Sequence, residues 1–162
     1  MSKLRVGLIS DLILPKNVTK IFNNSHYSRI DILKYPNYRK TDTPIVGYEQ
    51  LYKNINFKYI YSCIIDGDLD YAIASEKLLM PLNNNPSKIS LLNYIVIVDN
   101  KGNYKGTITG NMAVNIYVNE KELPLSPYDI QNMLETYYIN HGLCNIGVEE
   151  AITICLKRFT EN

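Results

Sequence analysis

Acidic, basic and hydroxyl side chains stand along this 162-residue chain where strands and helices are expected to start or stop, and side chains at such ends can converge. Glu76 closes Leu69 to Ala74, a run of apolar and small residues that reads as a strand continuing into Ser75-Glu76-Lys77. Asp42 precedes Pro44 in a polar loop, and Glu49 opens a helical pattern. Two or three carboxylates so placed can hold Mg²⁺, which bridges phosphate oxygens and lowers their charge. A loop acid and a helix N-terminal acid are equally ordinary readings of Asp42 and Glu49. Glu76 is harder to dismiss, because it ends an apolar strand. Near the N-terminus, a strand finishing at Ser10, a polar turn with Asp11, and Lys16 in the first turn of a helix would aim backbone N–H groups and an ammonium at an anion. Most strand–helix junctions bind nothing, so this one gains meaning only alongside the acids.

Other chemistry finds little footing. The chain has no G-x-S-x-G elbow, no H-E-x-x-H pair and no Walker A glycine loop. His26 and His141 have no ligand-spaced partner. Cys63 and Cys155 lie among apolar neighbours, which favours inert packing over nucleophilic use.

The elements that must position these residues follow from hydrophobic periodicity. Lys3 to Ser10 reads as a buried strand, Pro15 to Phe22 as a short helix with proline in its first turn, and Arg29 to Tyr35 as a second strand. Pro36 to Pro44 is a loop, and Glu49 to Ile64 one helix with a β-prone tail. Asp66-Gly67-Asp68 is a turn before the strand that carries Glu76. A polar insert, Asn83 to Lys88, separates that strand from Leu91 to Asp99, the strongest strand signal in the chain. Asn100 to Asn103 is a hairpin turn, with strands expected at Tyr104 to Thr109 and Met112 to Val118. Two helices close the chain, Pro127 to Ile139 behind a Ser126 cap and Val148 to Phe159. The order predicts an α/β fold: a mixed central sheet flanked by helices, in one domain over residues 1–162.

Composition narrows the function classes. Lysine and arginine total 17 against 16 acids, so the basic footprint of a nucleic-acid binder is missing, as is any general pull toward an anionic membrane. The first apolar stretch, Leu8 to Leu14, is interrupted by Asp11 and too short to span a bilayer. Three widely spaced cysteines without a C-x-x-C pair fit a reduced, cytoplasmic setting.

The order of motifs resembles the inosine/xanthosine triphosphatase family, the house-cleaning phosphatases of non-standard purine nucleoside triphosphates. Arg5 to Phe22, with Pro15-Lys16, resembles the family's opening strand, polar turn and helix. Thr41-Asp42-Thr43-Pro44-Ile45, with Glu49 and Asn56, is similar to its Glu-Gln-Pro loop and the helix after it. Asp70 to Glu76 resembles its Asp-Phe-Gly-Val-Gly-Leu-Glu strand, Tyr94 to Gly110 its hairpin, and Glu149-Glu150-Ala151-Ile152 with Leu156 and Phe159 its closing helix. The resemblance implies an ITPase-like two-lobed fold and a homodimer. It also implies Mg²⁺- or Mn²⁺-dependent attack of water on the phosphates of ITP or XTP. Glu76 would hold the metal or orient the water, Asp42 would assist the metal, and Ser10, Lys16 and Lys77 would contact the substrate.

The chain also departs from the family pattern. Lys77 and Leu78 replace two glycines, Asp11 stands where an asparagine is expected, and Cys144-Asn145 falls where a Thr-Arg pair belongs. Two functions therefore compete: an active hydrolase, and a weak or inactive relative kept for nucleotide binding or assembly.

Overall fold

The computed structural model describes residues 2–10, 15–22, 27–37, 45–82, 85–110, 114–115, 126–140, 152–153 and 155. Strand β1 (Ser2–Ile9) alternates Leu4, Val6 and Leu8, all buried, with Lys3, Arg5 and Gly7 on the other face. Helix α1 (Pro15–Phe22) follows, its Val18 fully buried, and leads to β2 (Tyr27–Lys34). A two-residue strand β3 (Ile45–Val46) runs into α2 (Gly47–Asn54) and α3 (Phe57–Gly67). Two long strands, β4 (Tyr71–Leu82) and β5 (Asn85–Asp99), form the spine. They are followed by β6 (Tyr104–Gly110), β7 (Val114–Asn115) and α4 (Pro127–Asn140).

The sheet is mixed. Its main path runs β2-β1-β4-β5-β6, with β3 on β4 and β7 on β5. β1 is parallel to both of its neighbours, β3 is parallel to β4, and the β4–β5–β6 pairings are antiparallel. One core layer joins α2 and α3 to the sheet through Leu51, Ile60, Ala72, Ala74, Leu78 and Tyr94. The other lies beneath α1 and contains Leu4, Val6, Val18, Ile73, Ile95 and Ile97. The expected class, a mixed central sheet flanked by helices, is the one observed.

Four local expectations need correction: the strand expected to close at Glu76 and Lys77 runs on to Leu82, so the acid stands in mid-strand. The single helix expected from Glu49 to Ile64 is two, because Ile55 turns extended and buries its side chain while Asn56 starts a new helix, its Oδ1 accepting the Tyr59 N–H at 3.0 Å. The turn expected at Asp66 to Asp68 is the end of α3, which stops at Asp68 in the left-handed region (φ 50°). The polar insert Asn83 to Lys88 is part strand, since β5 begins at Asn85 opposite Leu82, where pairing needs only the backbone N–H and C=O groups; Asn83 and Asn84 lie outside the described residues. Ser126 caps α4 as expected, accepting the Asp129 N–H and donating to its carboxylate.

The middle of β1 is fixed by polar contacts at Arg5. Arg5 donates to the Gly67 carbonyl through two nitrogens, at 3.1 and 2.9 Å, and pairs with Asp31 on β2 at 3.2 Å, while its backbone N–H binds the Asp70 carboxylate at 2.8 Å. One side chain thus joins β1, β2 and the C-terminus of α3. The bare backbone of Gly67 is required here, because a Cβ would overlap the Tyr35 hydroxyl.

Candidate functional site

β4 passes between two short partners on one edge. β1 ends opposite Ala74, and β3 begins opposite Leu78. Among the described residues, Ser75, Glu76 and Lys77 therefore have no strand beside them on that edge, and the sheet is split where the acid sits. The split lies just past the carboxyl end of a parallel strand, the position where open α/β sheets take their ligands. Ser10, the residue after β1, reaches across it and its hydroxyl hydrogen-bonds the Ser75 hydroxyl.

Alternation along β4 sorts the side chains. Ala72, Ala74, Glu76 and Leu78 face α2 and α3, and Ile73, Ser75 and Lys77 face α1 and α4. Glu76 is 6% exposed, in a layer otherwise built of apolar side chains. Its direct partner on β5 is Tyr94, 5% exposed and on the same face. The Tyr94 phenol is pushed up to about 12, chiefly by burial and then by the neighbouring Tyr52 and Tyr104, so it stays neutral at physiological pH. Tyr52 meets the Tyr94 ring edge-on, with centroids 6.2 Å apart.

The sequence-derived candidates are only partly gathered. Ser10 and Glu76 belong to the same split in the sheet, Ser10 through its bond to the residue preceding the acid. Lys16 is exposed near the start of α1, on the helix that follows β1 and packs on the opposite core layer from Glu76. Lys77 projects away from Glu76 and pairs with Glu135 of α4 at 2.5 Å. Asp42 lies outside the described residues, as do Asp11 and Asn145. Glu49 is exposed and paired with Lys53 one helical turn on.

Tyr94 went unread as a site residue because it sits inside the strongest strand run, where a tyrosine is ordinary. Gln131 was missed as well. It is buried, donates from Nε2 to Glu135 at 3.2 Å, and its carbonyl oxygen accepts no hydrogen bond among the described residues. Only an acceptor at Glu135 fixes that amide's orientation, and no sequence pattern signals it.

Among the described residues no group of three or more His, Cys, Asp or Glu side chains lies together. One buried carboxylate still suits Mg²⁺, which commonly takes one or two protein carboxylates and completes its octahedron with water and substrate phosphates. No helix among the described residues is long and apolar enough to cross a membrane.

No protein-family model matches the chain, and no curated protein sequence does. Among solved structures, the chain is similar to protein VC0702 from Vibrio cholerae, with a TM-score of 0.59 and 8% identity over 98% of this chain and 95% of that one. It is also similar to a nucleoside-triphosphatase / dITP/XTP pyrophosphatase from Mycobacterium abscessus, with a TM-score of 0.44 and 12% identity over 89% of this chain and all of that one. At 8% identity the likeness to VC0702 is one of fold: the same chain path recurs over nearly its full length.

Proposed function

We propose that the protein is a divalent-metal-dependent hydrolase of non-standard purine nucleoside triphosphates, ITP and XTP, with Glu76 as its central acid. The observation that carries this reading is a carboxylate buried on β4 at the split between β1 and β3. The order of sequence motifs supports the nucleotide as substrate.

In this mechanism Glu76, with Asp42 assisting, would hold Mg²⁺, and the ion would supply neutralisation of phosphate charge for the attack of water. The chain's own part is positioning. Ser10 and the first turn of α1, with Lys16, receive phosphate oxygens through N–H, hydroxyl and ammonium donors. The buried setting of Glu76 keeps its carboxylate from competing solvent, so the charge it presents acts at short range. A homodimer of one-domain subunits is the assembly this reading expects, and light scattering measures it.

The test is a panel of ITP, XTP, ATP and GTP, with and without Mg²⁺, read by released phosphate and pyrophosphate. Turnover of ITP and XTP that vanishes with EDTA and in Glu76→Gln supports the reading. A fully active Glu76→Gln removes the acid from the mechanism.

One observation favours the competing reading of a weak or inactive relative. Leu78 stands where the family has a glycine and is completely buried, paired with Ile45, so side chains fill space that glycine would leave to a phosphate. That reading expects a folded protein that binds nucleotide without turnover in the same assay.

A further inference from the structure

At Ser75 to Lys77, β4 has a ladder on its β5 side alone among the described residues. Two side-chain contacts flank the acid in this stretch. Ser75 and Lys77 share one face of the strand, and each is tied to a different element. The Ser75 hydroxyl bonds that of Ser10, just past β1, and the Lys77 ammonium meets Glu135 Oε1 of α4 at 2.5 Å. The second tie has a backing. Gln131, one helical turn before Glu135, donates from Nε2 to the same oxygen at 3.2 Å. Gln131 is 5% exposed, and its own buried carbonyl oxygen accepts no hydrogen bond among the described residues. A leucine would fill a similar volume without that unmet acceptor, which burial makes unfavourable. Packing alone would therefore not ask for a glutamine here, and the hydrogen bond it donates goes to the carboxylate that holds Lys77.

We propose that Gln131 and Glu135 are positioning residues: the chain Gln131–Glu135–Lys77 braces β4 from α4 across the split. Together with the Ser10–Ser75 contact it steadies the backbone on both sides of Glu76, where a neighbouring strand would otherwise do so. Strand segments held by fewer contacts open locally at low free energy, and a small misplacement of a reacting group is expensive in rate. The inference rests on the hydrolase reading only in naming Glu76 as the acid that benefits; the brace itself is a property of the fold.

The brace is measured on the full chain by amide hydrogen exchange at Ser75, Glu76 and Lys77, with Val6 and Leu8 of β1 as the internal reference. Lys77→Met and Gln131→Leu are each expected to speed exchange at Ser75 to Lys77 about two- to fivefold, the range open to a half-exposed ion pair, while the reference amides stay as they are. Gln131→Leu should resist urea at least as well as wild type, which separates a brace from a residue that merely packs. Gln131→Leu/Lys77→Met should exchange no faster than Lys77→Met alone, because both substitutions cut one chain. Glu135→Gln keeps an acceptor of the same shape and should retain most of the protection that Glu135→Leu loses. If Gln131→Leu does not fold, Lys77→Met and Glu135→Leu carry the test. Folded variants whose exchange at Ser75 to Lys77 matches wild type overturn the proposal, as does a Gln131→Leu variant that unfolds at lower urea with exchange raised evenly across the sheet.

A second readout is kinetic. Gln131→Leu is expected to lower kcat for ITP about 10-fold with KM unchanged, the usual cost of disturbing a site's support. If wild type turns over neither ITP nor XTP, the hydrolase reading fails, while faster exchange at Ser75 to Lys77 in the variants still upholds the brace.

Discussion

Replacing Tyr94 by phenylalanine should flatten the alkaline limb of the protein's stability curve. The phenol is 5% exposed and pushed up to about 12, against about 10 for tyrosine in an unfolded chain. Below pH 10 both states keep the proton, so titration contributes no difference. Between pH 10 and 12 the unfolded chain loses it while the folded chain retains it, and the folded state weakens by about 1.4 kcal/mol per pH unit. The accumulated loss reaches about 2.3 kcal/mol at pH 12 and levels off at about 2.7 kcal/mol above it, a sizeable part of a typical domain's stability. Tyr94→Phe cannot lose that proton. Urea unfolding followed by circular dichroism at intervals across this range should therefore show the wild-type stability falling by about 2–3 kcal/mol more than the variant's. Burial also raises Tyr35, Tyr59 and Tyr71, so both proteins weaken in alkali, and only the difference between them reports Tyr94. Tyrosinate absorbance of the folded protein gives an independent count, with one fewer late-titrating group in the variant. Parallel curves for the two proteins from pH 10 to 12 would refute the reasoning.

Asp31 is held below the ordinary aspartate range first by its hydrogen bonds from Arg29, and the charges of Arg29 and Lys3 act in the same direction. Its contribution is complete above about pH 4 and is lost as pH falls through its lowered folded value, so Asp31→Asn should be less stable at neutral pH yet lose less on acidification, read by unfolding at pH 2 to 6. Lys77→Met removes a half-exposed ion pair with Glu135 and should cost no more than about 1 kcal/mol in denaturant unfolding, leaving the KM for ITP within roughly twofold; a much larger rise in KM would mean that Lys77 leaves Glu135 for the substrate. Gly67→Ala should destabilise by about 1–3 kcal/mol through overlap with the Tyr35 hydroxyl, and by less in a Tyr35→Phe background, which a double-mutant cycle in urea measures.

The residues whose meaning depends on their own stretch of chain were readable, and those whose meaning depends on a distant partner were not. β-branched members announced β1 and the core of β5, and a run of apolar and small residues announced the strand carrying Glu76, whose acid reads as the strand's end although β4 runs on past it to Leu82. The α2–α3 break was hidden because Ile55 keeps the hydrophobic period of a helix while its backbone leaves it. β3 is two residues long, too short to show any period. Lys77 reads in sequence as a substrate contact beside Glu76, yet strand alternation sends neighbours to opposite faces, and a partner on α4 takes the lysine. The same logic governs Glu76, Tyr94 and Gly106, where the Tyr94 hydroxyl takes the place a Cβ would fill: they meet only through the registers of two hairpins. The β5–β6 register is set at the Asp99–Asn103 turn, where the Asp99 carboxylate accepts the N–H groups of Lys101 and Asn103, each at 2.9 Å. A slip of one residue in that turn would reverse the faces of β6 and put a side chain, Lys105 or Thr107, where the Tyr94 hydroxyl now rests.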